Sequence, residues 1–210
     1  VERQVKTTLM GIADRVVLAD LEWSSLAAGY AGCRVVIQPK FELEAVRREV
    51  ERYIEILYSG SEDDLAEFCE RNQVGYLFFR RRASLEGLDP NGYRYMSGMQ
   101  EIPPDAVVRL LDLKPARLRR FRQVTMPEGA GQAANELRIF RFVTAAEHEI
   151  AVGLAQRSIA AWRAGDREEA RRWLASAYVI DPVTPDIQEL WFRMNGEAPP
   201  ALTLGAAPAN

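Results

Sequence analysis

Histidine is almost absent from this chain: His148 is the single one in 210 residues. Cysteine is scarce too, with only Cys33 and Cys69. A disulfide framework needs more cysteines than that. One histidine and two distant cysteines do not make a tetrahedral zinc site of the usual spacing. The two thiols are expected as small buried hydrophobes, and a single bridge between them stays open in an oxidising compartment. No window approaches the ~20 consecutive apolar residues of a membrane span, and no signal-peptide pattern is visible. There is no GxGxxG after a strand and no GxxxxGK[ST] to cradle phosphate. There is no GxSxG elbow to carry a nucleophile. Neither sign of charge predominates, with 27 Lys and Arg against 30 Asp and Glu. That balance gives no reason to expect nucleic acid as a partner. Neither a cofactor nor a metal is expected.

What is present is an ordinary globular balance, 48% hydrophobic and 27% charged. A chain of this length buries about 70% of its unfolded surface without staples. One compact domain, or one domain with a helical annex, is expected. Three short β-branched apolar runs, RVVLA (15–19), RVVIQ (34–38) and VGYLFF (74–79), read as buried strands. Between the first two lies WSSLAAGYAG, a short helix of small residues that Ser24 or Asp20 can cap and Gly32 stops.

Between the second and third runs the helical signal is strong. Leu43, Val46, Val50, Tyr53, Ile54 and Leu57 recur at spacings of three and four. Arg47, Arg48, Glu51, Arg52 and Glu55 take the other face, and Gly60 ends the helix. Ser61 then caps a second helix whose stripe is Leu65, Phe68 and Cys69, with Asp63 and Asp64 at its positive pole. The order β-α-β-α-α-β predicts parallel strands with right-handed crossovers. The fold class is therefore α/β: a small, doubly wound, mainly parallel sheet with flanking helices.

Past Arg80 the pattern loosens. Gly87, Pro90, Gly92, Gly98, Pro103 and Pro104 mark a loop-rich excursion. A helix is expected at 104–111. Strands are expected at 121–127 and 136–143, joined through GAGQAAN, with Leu137, Ile139, Phe140 and Phe142 on a partly buried face. From 144 to Asn195 everything reads as helical. The Ala- and Pro-rich end is expected to fray. The division is an α/β domain at 1–143, a helical annex at 144–194 and a flexible tail at 195–210. The start at Val1 rather than Met suggests a piece of something longer and leaves a membrane anchor upstream open.

In residues 151–182, small residues Ser158, Ala170 and Ala177 stand where two helices would touch. Leu154 and Leu174 take large apolar positions, Gly165 and Asp166 make a turn, and Pro182 ends the second helix. This stretch resembles one tetratricopeptide repeat. It departs from that pattern at Arg157, where leucine is usual, and at Ala161, where tyrosine is usual. A lone pair cannot bury its own apolar face, so it is expected to lean on the α/β part through that face. A helix at 185–194, bearing Ile187, Leu190, Trp191 and Met194, would cap it. The pair then either braces the domain or grips a peptide.

Two places could hold a ligand. Asp20, Glu22 and Trp23 follow the first strand, where doubly wound sheets bind ligands. The two carboxylates would work as acid and base, or cap the next helix. Basic residues crowd Arg80, Arg81 and Arg82, and again Lys114, Arg117, Arg119, Arg120 and Arg122. If they converge they suit phosphate-bearing headgroups or an acidic glycan; otherwise they form a solvated, paired face.

The stretch VVLADLEWSSLAAGYAGCRVVIQPKFE, an amphipathic helix, and then FCERNQVGYLFFRR together resemble a known arrangement. It is that of polytopic glycosyltransferases using lipid-linked sugars, above all the soluble carboxyl-terminal domain of the oligosaccharyltransferase catalytic subunit. In that family a strand leads into a WWDYG motif, then a small-residue helix, then a strand. WWDYG recognises the hydroxyl residue of the acceptor sequon. Here DLEWS (20–24) takes its place, without the tryptophan pair or the DYG. The resemblance spans about residues 10–143. It implies an extracytoplasmic domain tethered to an upstream transmembrane portion of the same polypeptide. It also implies that metal and catalytic carboxylates lie in that portion, so this chain alone has no activity.

Three functions are therefore carried forward. One is a noncatalytic extracytoplasmic domain assisting glycan, peptide-acceptor or partner binding. Another is an interaction scaffold built on the helix pair. The last is a small enzyme using Asp20 and Glu22.

Overall fold

β1 (Val16–Ala19) is buried along its whole length, as an apolar run with neighbours on both faces must be. The computed structural model of the chain describes residues 15–38, 43–81, 102–124, 137–182 and 184–200. From β1 the chain passes through α1 (Leu21–Ala31), β2 (Arg34–Val35), α2 (Glu44–Ser59), α3 (Glu62–Arg71) and β3 (Val74–Arg80). It continues through α4 (Val107–Leu113), a 3-10 turn (Pro115–Arg117), β4 (Phe121–Val124) and β5 (Leu137–Phe142). Three helices close it: α5 (Ala145–Arg163), α6 (Arg167–Ile180) and α7 (Pro185–Asn195).

Among the described residues, five strands form one sheet in the order β2-β1-β3-β5-β4. β1 pairs in parallel with β2 and β3, whereas β5 runs antiparallel to both β3 and β4. All strands but β5 thus point one way, and the sheet is mixed but mainly parallel. One face, with Val16, Leu18, Leu77, Phe79, Phe121, Phe140 and Phe142, packs on residues of α2, α3 and α4. The other, with Val17, Ala19, Phe78, Val124, Leu137 and Ile139, packs on Ala27 and Trp23 of α1. Helices therefore cover both faces, as expected of a doubly wound sheet. Cys69 belongs to the first face and Cys33 to the second. Both thiols are buried and neither is in a disulfide; the sheet between them rules out the bridge.

Local chemistry sets the ends. Asp20 caps α1, and Gly32 closes it in the left-handed region at φ 64°. Ser61 and Asp64 form a capping box on α3, an arrangement in which the capping side chain is worth about 1 kcal/mol. Gly60 has an ordinary φ of −87°; space is what demands glycine there. A Cβ at Gly60 would lie 2.8 Å from the Ile56 carbonyl oxygen, and the Gly60 carbonyl accepts the Val107 N–H at 3.0 Å, docking the start of α4.

Several boundaries differ from expectation. The second strand stops at Val35. Val36 N–H still reaches the Val17 carbonyl, but Ile37 then turns into the first-face core. Helix 104–111 lies instead at Val107–Leu113. Leu43, expected in the stripe, precedes α2 and is 56% exposed, while Ile56 and Tyr58 join the core. Residues 125–136, including GAGQAAN, and most of the excursion at 83–101 lie outside the described residues.

The helical part corrects a larger expectation. Ala151, Ala155, Ala170, Leu174, Ala177, Tyr178, Ile187 and Met194 form a third core drawn entirely from α5, α6 and α7. Ser158, fully buried, donates to the Ala170 carbonyl at 2.7 Å across the α5–α6 contact. The pair buries its apolar side beneath α7, so that side is not what leans on the sheet. The end expected to fray is tied back at Pro200, whose carbonyl accepts the Tyr178 hydroxyl at 2.5 Å; residues 201–210 lie outside the described residues.

Candidate functional site

β1, β2 and β3 deliver their carboxyl ends to one rim. The chain leaves β1 towards β2 over one face and returns to β3 over the other, so the rim between β1 and β3 is the switch point of the sheet, where open α/β sheets bind ligands. Asp20, Glu22 and Trp23 stand there, as the sequence places them. The Asp20 carboxylate is engaged: its Oδ1 accepts the Trp23 N–H at 3.0 Å. Ser24, fully buried, donates to the Ala19 carbonyl at 3.2 Å. Trp23 is half-buried against the second-face core. Glu22 sits in the first turn of α1; its side chain lies outside the described residues.

Arg80 ends β3 and is exposed. Arg81 follows, its Nε 3.5 Å from Oδ1 of the buried Asp112 of α4. Arg82 lies outside the described residues. Arg138 on β5 stands opposite Phe79, and its Nη1 donates to the Leu111 carbonyl at 2.7 Å. Burial lowers the pKa of Arg138 and the charge of Arg81 lowers it further, while Asp112 opposes both. The rim therefore carries a buried carboxylate between guanidiniums. Arg138 was not picked out from the sequence, because an arginine in an alternating strand reads as its solvent face.

The second basic group lies elsewhere. Phe121 pairs with Phe142, Tyr76 with Arg141, and Arg80 with Leu137. Arg119 and Arg120 thus sit at the amino rim, roughly 20 Å along the strands from Arg80 at ~3.3 Å per strand residue. The two basic groups do not converge. Arg119 and Arg120 both have carboxylate partners, Arg119 at the exposed surface and Arg120 partly buried. Arg119 Nη2 meets Asp63 at 3.0 Å, and Arg120 donates to Glu70 at 2.6 Å and to the Val143 carbonyl at 2.7 Å. Beneath them Glu62, 6% exposed, takes the backbone N–H groups of both arginines on Oε1, at 2.6 and 2.7 Å. Lys114 and Arg117 are exposed in the connection from α4 to β4.

Three further polar groups escaped the sequence reading. Glu70 Oε1 accepts the Ala145 N–H at 3.0 Å as well as Arg120. The Ala145 N–H and then Arg120 hold its carboxyl below the usual range. Arg141 donates to the Val179 carbonyl and meets Glu147 at 3.4 Å. His148 Nδ1 lies 2.7 Å from Oδ2 of buried Asp181, and Thr184 donates to the same oxygen at 2.6 Å. Hydroxyl and imidazole both converge on the carboxylate. A hydrolytic triad instead needs the hydroxyl on the imidazole nitrogen remote from the acid. This cluster ties α5 to the start of α7.

Fold and polar groups together define a mixed α/β domain carrying a three-helix annex, with a polar rim at the switch point. No family model matches the chain, and no curated protein matches it. Among solved structures, the C-terminal globular domain of oligosaccharyltransferase from Archaeoglobus fulgidus is similar, at a TM-score of 0.46 and 14% identity, over 67% of this chain and 95% of that one.

Proposed function

We propose that this chain is a noncatalytic, extracytoplasmic domain of a larger membrane protein of the glycosyltransferase kind. In this reading the β1–β3 rim helps to hold a glycan or peptide acceptor, and the annex contacts a partner or the transmembrane portion of the same polypeptide. One observation carries it. The strand, DLEWS, small-residue helix and strand that the sequence resemblance singles out fold as one unit, β1–α1–β2, which sets Trp23 at the switch point. Its ring is half-buried, rigid and able to stack on a sugar or an apolar side chain.

The enzyme reading loses support from the same residues. The Asp20 carboxylate is occupied as the cap of α1, a structural duty that leaves its spacing to Glu22 without need of chemistry. The annex as an interaction module in its own right is favoured by its self-contained core, which leaves its flanks to serve a partner.

Two tests bear on the proposal. The reading frame upstream of Val1 is expected to encode hydrophobic spans; a frame without them overturns it. Acceptor peptides and oligosaccharides titrated onto the isotope-labelled chain are expected to shift amide resonances around Ala19–Ser24, and Trp23→Ala should abolish those shifts. Shifts confined to residues away from that rim would contradict it.

A further inference from the structure

We infer that the annex is an arm held on the α/β body by an electrostatic joint, which opens without unfolding either part. The first ground is the partition of the apolar residues. The annex core takes its members, and the half-buried Leu154, Trp162, Leu190 and Trp191 around it, from α5, α6 and α7 alone. The sheet cores take theirs from residues before Thr144. The hydrophobic effect therefore holds each part together, and it contributes little to holding one on the other.

The second ground is what fills the seam. The α5–α6 turn at Gly165 and Asp166 lies at the far end of the hairpin. The amino end of α5 and the carboxyl end of α6 consequently reach the body together. A helix carries partial positive charge at its amino end and partial negative charge at its carboxyl end. Each pole meets its opposite. The Glu70 carboxylate accepts the N–H of Ala145, the first residue of α5. The Arg141 guanidinium donates to the carbonyl of Val179 in the last turn of α6, and reaches Glu147 on α5 as well. Arg122, opposite Arg141 in the β4–β5 ladder, acts on the Tyr178 phenol of α6.

The third ground is that opening leaves Glu70 a partner. Its bond to Arg120 lies within the body and survives. Thr144 and Glu147 keep capping α5 through their reciprocal bonds, whichever way the arm points. The covalent pivot is short, because Val143 is still buried in the body and α5 starts at Ala145.

Screening separates this joint from an apolar one. Raising salt from about 0.1 M to about 1 M shortens the Debye length from about 10 Å to about 3 Å; salt does not weaken apolar contacts in that way. Both native thiols are buried, so dyes can be directed to cysteines introduced at exposed Glu51 on α2 and Arg171 on α6. Single-molecule energy transfer between them is expected to show a minor low-transfer population at low salt. That population should grow severalfold at high salt, while far-ultraviolet circular dichroism stays constant. Glu70→Gln with Arg141→Gln should produce the same shift at low salt. A single transfer value, unmoved by salt, overturns the proposal even where the double variant fails to fold. So does a low-transfer state that appears only with loss of helical signal.

Discussion

Glu62 and Glu70 open and close α3, and each works well beyond its own helix. Glu62 stands in the first turn of α3 beside Asp63 and Asp64, where a helix dipole favours acids. In the fold its carboxylate accepts two backbone N–H groups more than fifty residues away in sequence, at Arg119 and Arg120. Sequence reasoning is blind to such a partner, because nothing local marks a backbone amide as unpaired. Asp20, by contrast, was legible, since a cap and its helix are neighbours. Asp20→Ala should cost about 1 kcal/mol of stability, measured by urea unfolding, and Asp20→Asn close to nothing. Gly60→Ala is expected to cost about 1–3 kcal/mol by forcing a methyl against the Ile56 carbonyl, despite its permissive backbone angles. For Glu70 the sign follows from its depressed pKa. The bonded carboxylate stabilises the fold above the ordinary glutamate value of about 4.3. That contribution is lost as the pH falls through its lower folded value. Acid melts of the wild type and of Glu70→Gln should therefore converge below that range and separate above it.

Among the elements, buried parallel strands and capped helices were the most readable. VVLA and VGYLFF lie in β1 and β3, and the Ser61 cap and the Gly32 stop stand where read. What failed was long-range. RVVIQ has the composition of a five-residue strand, but Ile37 gains more from the first-face core than from extending an edge ladder. The reversed direction of β5 and its place beside β3 are set by pairing between segments some sixty residues apart, which periodicity does not encode. The small residues of α5 and α6 were read correctly as contact positions, since Ser158, Ala170 and Ala177 are all fully buried; Ala151, also fully buried, joins them. Their closeness is testable. Ser158→Leu must spread the helices and lose the bond to Ala170, for about 1–3 kcal/mol, seen as a lowered annex melting temperature. Ser158→Ala should cost much less.

At the scale of the molecule, an apolar brace was expected and a charged seam was found. The reason lies in α7. Ile187 and Met194 supply the surface that the helix pair needs, immediately after the pair ends, so the sheet is not called on to supply it. The rim residues were half legible. Asp20 and Trp23 stand at the switch point, while Arg119 and Arg120 proved to be tied to Glu62, Asp63 and Glu70 at the opposite rim. The account rests on two separately cohesive parts, and native-state hydrogen exchange after Ile187→Ala examines this most directly. Truncating this fully buried side chain should cost about 2–5 kcal/mol. The predicted result is that amides of α6 around Leu174 and Ala177 lose protection by about that amount, while those of Leu77 and Phe78 in β3 keep theirs. Equal loss of protection in α6 and β3 would contradict it.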